Sequence, residues 1–242
     1  MAHRKGEKEA LRRQREEREA KARAEQRRKR LVGFGAAGAL ALAAVVIVFV
    51  LVGGGGNGSG PGGGSNVFPE GGEVAEQKVF DVEEAASAAG CELTSSESRG
   101  EKDRVHTQST DQTVKYRDNP PTLGSHWPPG FEAQDGLYGK APADESLVHT
   151  LEHGRVIFWV KPSLPKTARE SLRALFDEDT YQLVMVPRQD MPYAVAATAW
   201  NRDPVPGGTG RTLGCDEWTP EAVDALRAFR DQHRSNGPEP VP

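Results

Sequence analysis

Two imidazoles and a carboxylate fall within five residues of this chain: His149, Glu152 and His153, in the stretch Val148–Gly154. Imidazole nitrogens and carboxylate oxygens are donors that hold Zn or Cu, and a carboxylate beside a metal-bound water can take its proton. On a helix His149 and His153 stand at i and i+4 and share a face. On a strand they have the same parity and again share one. The pair is therefore co-facial under either backbone. Read as H-x-x-E-H, the stretch also has the form of the inverted zinc-protease signature. That signature needs a sustained helix, whereas Gly154 and the β-branched run after it end the helix at once.

Two more histidines, His106 and His126, lie upstream in the same part of the chain. His126 follows Pro120-Pro121-Thr122-Leu123-Gly124-Ser125. Proline fixes φ and Gly124 permits a tight turn, so this loop can present His126 rigidly. A rigid loop histidine and a co-facial pair could form a site for Zn or Cu from His126, His149 and His153, with His106 or Glu152 as further ligands. The competing reading is a buried polar network in which the same rings only donate and accept hydrogen bonds. Cys91 and Cys215 are the only cysteines. Their separation excludes a C-x-x-C redox motif, and two cysteines in an oxidising compartment are expected to pair.

The elements that must position these groups are partly legible. A strand is expected at Val79–Val82 and a short helix over Glu83–Ala89, ended by Gly90. Ser95–Asp103 reads as a loop and Thr113–Tyr116 as a strand. The four prolines of Asn119–Gly130 require an extended or turning loop. Asp144 and Glu145 are helix-start residues for Ser146–His153, with Gly154 as its stop. Arg155–Val160, Gln182–Val186 and Ala194–Trp200 read as strands. Lys166–Phe176 has helical apolar spacing, and Asp203–Gly214 reads as a Gly/Pro loop. Thr219, with Pro220 after it, should cap a last helix. Strands mixed with dispersed helices imply one α+β domain with a small mixed or antiparallel sheet and flanking helices.

Charge and hydropathy place that domain. Residues 1–30 carry 13 of the 31 Lys+Arg and 6 of the 35 Asp+Glu, and residues 31–65 carry none, so 18 basic face 29 acidic residues over 66–242. A net acidic domain argues against a nucleic-acid partner, which needs clustered Lys and Arg. Leu31–Val52 is uncharged and long enough to span about 30 Å as a helix. With basic residues just before it and none after it until Lys78, it reads as an uncleaved signal anchor. The organisation is then a charged cytoplasmic tail (1–30), one transmembrane helix (31–52), a flexible Gly-rich linker (53–66) and an exported domain (67–242). The membrane is the one partner this implies; the sequence names no protein partner.

Cys91, His106, Tyr116, Pro120-Pro121-Thr122, Gly124, His126, Gly136 with Tyr138, Leu147–Gly154, Ala199-Trp200, Cys215 and Gly237-Pro238-Glu239 occur in that order. Together they resemble domain of unknown function 3105, a family of uncharacterised, largely actinobacterial membrane proteins. The resemblance runs over about residues 80–239. It implies a membrane-tethered exterior domain and no known activity. Three readings follow: a transition-metal-binding domain, a structural or interaction domain of the cell envelope, and a zinc hydrolase with Glu152 as base. The hydrolase is the weakest, so the choice lies between the first two readings and the balance is against an enzyme.

Overall fold

The computed structural model describes residues 66–239. The charged tail, the apolar segment 31–52 and all but the last residue of the Gly-rich linker lie outside them, as do residues 240–242. Among the described residues no helix is long and apolar enough to cross a membrane.

Six strands and four helices make an α+β domain, as expected. The strands are β1 (Glu92–Glu97), β2 (Gly136–Leu137), β3 (Val156–Val160), β4 (Leu183–Pro187), β5 (Val195–Asn201) and β6 (Thr209–Cys215). They form one sheet in the order β1-β6-β5-β3-β4-β2. The sheet is mixed: β1, β6, β5 and β3 pair antiparallel in succession, while β4 is parallel to both β3 and β2. The helices are α1 (Val82–Ala89), α2 (Asp144–Glu152), α3 (Lys166–Glu178) and α4 (Ala222–His233).

The two faces of the sheet are covered differently. Side chains alternate across a strand, so Val156, Phe158 and Val160 of β3 point one way and Ile157 and Trp159 the other. The first set packs with Leu172 and Leu175 of α3, Leu226 and Phe229 of α4, and the alanines of α1 in one apolar cluster. The second set packs with Leu147, Val148 and Leu151 of α2 and with Trp200 and Tyr138. Beyond α2, that second face is covered by the irregular chain leading up to it. The disulfide between Cys91 and Cys215 forms, with Cα atoms 4.3 Å apart. It continues the β1–β6 ladder by one residue, since Glu92 sits opposite Gly214.

Several local expectations are corrected. Val79–Val82 is not a strand, because Asp81 Oδ1 accepts from the backbone N–H groups of Glu83 and Glu84 and starts α1 there. Ser95–Glu97 belongs to β1, and only Gly100–Asp103 turns, as a short 3-10 helix. Thr113–Tyr116 has no strand partner; the N–H of Val114 donates instead to the Glu145 carboxylate at 2.6 Å. The last helix begins after Thr219 and Pro220, with Glu221 as its N-cap. The largest correction is β6, within the stretch read as a Gly/Pro loop. Its glycines are not breakers. A Cβ at Gly210 would lie 2.2 Å from Thr122 Oγ1, and one at Gly214 would lie 2.3 Å from the Tyr193 ring. Two side chains lie directly on this strand, and only glycine leaves room for them.

Candidate metal centre

α2 is polar in sequence yet buried from Glu145 to Glu152. A buried polar side chain needs a partner, and the loop wrapped around this helix supplies several. Ser146 Oγ donates to the Phe131 carbonyl (2.7 Å) and Thr150 Oγ1 to the Ala133 carbonyl (2.8 Å). Glu145 accepts from Val114. His149 and one oxygen of Glu152 are left over: His149 Nδ1 and Glu152 Oε2 are buried without a hydrogen-bond partner.

The chain before α2 brings two more such atoms to the same place. The N–H of Thr107 donates to the His126 carbonyl (2.7 Å), and the N–H of His126 donates to the Val105 carbonyl (3.3 Å). This small parallel bridge sets the His106 and His126 rings 4.8 Å apart. Tyr116 stiffens the His126 loop by donating its hydroxyl to the Ser125 carbonyl (2.8 Å) and lying against Gly124, whose φ is +137°. Pro120 and Pro121 are buried beneath it. The His149 ring then lies 5.0 Å from His106 and 4.8 Å from His126. One ligand atom from each of His106, His126, His149 and Glu152 lies within 4.8 Å of the others.

The chemistry of the contacts matters more than their proximity. His126 Nδ1 is 2.8 Å from the Gly124 carbonyl, which can only accept, so Nδ1 carries the proton. In the neutral ring Nε2 is then a lone pair. It sits 3.0 Å from Glu152 Oε2, an ion pair when His126 is protonated; in the neutral ring neither atom has a hydrogen-bond partner. His106 Nε2 is likewise buried and unpartnered. Lone pairs and a carboxylate turned toward one another in a buried space are relieved by a positive charge, either a proton on His126 Nε2 or a metal ion among the donors. The outer contacts have the form of ligand supports: a carbonyl fixes the His126 tautomer, and Arg104 Nε donates to Glu152 Oε1 at 2.9 Å.

Protonation follows from the same geometry. Burial, then the charges His126 and His153 would carry, push His149 down to about 4. Burial and His126 also lower His106. Burial alone would raise the Glu152 carboxyl, but His126 in its protonated form and Arg104 outweigh it and bring it down to about 2. Near pH 7 the site therefore presents His106 and His149 as neutral donors and Glu152 as an anion, the protonation states a divalent transition metal requires.

His153 is placed differently. It is the C-cap of α2, its ring 4.7 Å from that of His149, and it lies outside the four residues that converge. Its Nδ1 donates to the Glu239 carbonyl (3.0 Å). This contact exists because the C-terminal segment crosses the end of α2. Gly154 turns with φ +83°, and the N–H groups of Ser235 and Glu239 donate to the Gly154 and Glu152 carbonyls (2.8 and 3.1 Å). A Cβ on Gly154 would lie 2.9 Å from Gly237 N, and one on Gly237 would lie 2.3 Å from the Glu152 carbonyl oxygen. Two glycines thus let two backbones touch beside the site.

Residues 106–241 match the family described as "Protein of unknown function (DUF3105)". The chain belongs to this family. The match begins at His106 and takes in every residue of the cluster and the Gly237-Pro238-Glu239 segment that crosses it. No curated protein and no solved structure matches the chain.

Sequence reasoning passed over Arg104 and the backbone of Glu239. Arg104 had a signal, since a cation two residues before a candidate ligand histidine can brace a carboxylate ligand. Glu239 acts on His153 through its carbonyl, which has no side-chain signature, while its carboxylate lies 3.7 Å from Arg104 Nη2. The hydrolase reading asks Glu152 to serve as a base beside a metal held by His149 and His153. Instead Glu152 lies among the converging donors with its other oxygen held by Arg104.

Proposed function

We propose that this chain is a membrane-tethered exported domain that holds one divalent transition-metal ion, Zn(II) or Cu(II), through His106, His126, His149 and Glu152. One observation carries the reading: four buried donor atoms without hydrogen-bond partners, one on each of these residues, in a cluster whose ligand atoms lie within 4.8 Å. A polar network that merely braced the fold would pair such atoms with donors, as it does for Ser146 and Thr150. Imidazole with carboxylate suits Zn(II) or Cu(II), and the lack of a sulfur donor disfavours Cu(I). Donors around a tetrahedral ion at about 2.0–2.1 Å sit roughly 3.3–3.4 Å apart, so the metal should draw the widest pair inward. Four protein donors also fill a tetrahedral shell. That favours holding the ion over activating a water on it.

The exported placement rests on the uncharged 31–52 segment with basic residues before it, and the Cys91–Cys215 disulfide supports an oxidising compartment. Protease added to cells with an opened outer envelope should digest the domain; a protected domain with a cleaved 1–30 tail reverses the orientation. Calorimetry on the full chain tests the metal. One equivalent of Zn(II) or Cu(II) should bind, and binding should be lost in His126→Ala and His149→Ala. Neither metal binding would leave a structural envelope domain.

A further inference from the structure

On the opposite face of the sheet one arginine stands apart. Every other arginine among the described residues has a carboxylate or carbonyl acceptor. The side chain of Arg211, on β6, has neither an ion pair nor a hydrogen bond there, and its Nε is buried without a partner. Arg211 is half-buried and only its Nε is dry, so the cost of a missing acceptor falls on that one N–H. Arg211 also lines two cavities, one of about 230 Å³ against α1 and α4 and one of about 420 Å³ beside Asn201 and Asn236.

The smaller cavity has an apolar wall of Val82, Leu93 and Phe229. His233 also lines it, held by two contacts to Asn201: its Nδ1 donates to Asn201 Oδ1 (2.6 Å), and its carbonyl accepts from Asn201 Nδ2 (3.0 Å). Burial, then the Arg211 guanidinium, push His233 down to about 4. At neutral pH Arg211 is thus the one positive side chain on either cavity. Two acids, Glu83 and Asp203, also line them, and neither is within ion-pair distance of Arg211. One cation flanked by two acids suits a ligand with a single negative charge and repels a multiply charged phosphate.

We propose that Arg211 anchors a second binding site, for a small monocarboxylate whose short apolar tail lies against Val82, Leu93 and Phe229. The carboxylate would take up the unpartnered guanidinium edge, and the tail would cover apolar wall. The site is independent of the metal centre, which lies across the sheet.

Ligand-observed saturation-transfer NMR on the full-length protein in detergent tests this, with butyrate as the probe. Butyrate should receive saturation, and its affinity should fall about tenfold or more in Arg211→Gln, the loss of one charge-assisted contact. Glu83→Gln, an exposed change on α1, should tighten binding about two- to threefold by removing a repelling charge; it decides the matter if Arg211→Gln fails to fold. Inorganic phosphate should not displace butyrate. No transfer to butyrate, an unchanged affinity in a folded Arg211→Gln protein, a Glu83→Gln affinity no higher than wild type, or displacement by phosphate would each overturn the assignment.

Discussion

The two faces of the central sheet are built on opposite principles. One is covered by α1, α3 and α4, whose alanines, leucines and phenylalanines close over β3, β5 and β6. The other is covered by α2 and the irregular chain before it, and there buried polar groups lie beside Trp159 and Trp200. Apolar burial on the first face holds the fold, at roughly 25 cal/mol per Å² removed from water. The second face spends stability on a cluster with four unpartnered donor atoms. A protein keeps such a cluster where the stability it costs serves a ligand. The difference teaches where to look for a metal: in the face where buried imidazoles and a carboxylate converge, not in the one closed by apolar helices.

The comparison can be broken experimentally, beginning with the largest effect. Cys91 and Cys215 are 124 residues apart and tie the edge strand to β6. Replacing both by Ser should destabilise the domain by about 4–5 kcal/mol on the chain-entropy account, less if the reduced chain keeps structure. Urea denaturation of the two forms measures this. Next, Phe229→Ala removes a fully buried side chain from the helix-covered face and should cost about 3–5 kcal/mol while leaving metal stoichiometry unchanged. His149→Ala in the metal-free protein should cost less than Phe229→Ala, because His149 Nδ1 has no partner to lose. Equal costs would erase the contrast between the faces.

Acid acts through the histidines of both faces. His149 and His233 are each held at about 4, and His106 is also lowered. Below an unfolded value near 6.5 the unfolded chain takes up protons that the folded chain refuses. Stability of the metal-free domain is therefore full above about pH 6.5 and falls as pH drops toward 4, by on the order of 3 kcal/mol for His149 alone. Glu152, held at about 2, adds its own loss only below its unfolded range near 4.5. A flat stability profile between pH 7 and 4 would contradict the buried neutral rings. The smallest effect lies at the surface. Breaking the exposed Lys166–Glu170 pair of α3 with Lys166→Ala should change stability by less than about 0.5 kcal/mol.

Much of the helix-covered face was legible from residue patterns. The spacing of Leu172, Leu175 and Phe176 marked α3, and the β-branched and aromatic run of β3 marked the sheet centre. β6 was not legible, because Gly210 and Gly214 signal a loop locally while their purpose is contact with Thr122 and Tyr193, far away in sequence. Val79–Val82 failed for the opposite reason: a strand-like composition yielded to a local cap at Asp81. At the site, the residue types His106, His126, His149, His153 and Glu152 could be named from spacing and loop chemistry. Which of them face one another could not. That depends on a two-residue bridge between Val105–Thr107 and His126, and on a C-terminal segment that takes the ring of His153. Both contacts join backbones distant in sequence, and periodicity carries no trace of them.

The central claim is that four side chains on the polar face form one ligand set, and X-ray absorption at the metal edge tests it most directly. On Zn(II)-loaded full-length protein the account predicts four N/O scatterers at about 2.0–2.1 Å, with imidazole outer-shell scattering from three rings. In Glu152→Gln the three-ring signal should remain while affinity drops. A shell with sulfur, a six-oxygen shell with no imidazole scattering, or a protein that retains no zinc after desalting would contradict it.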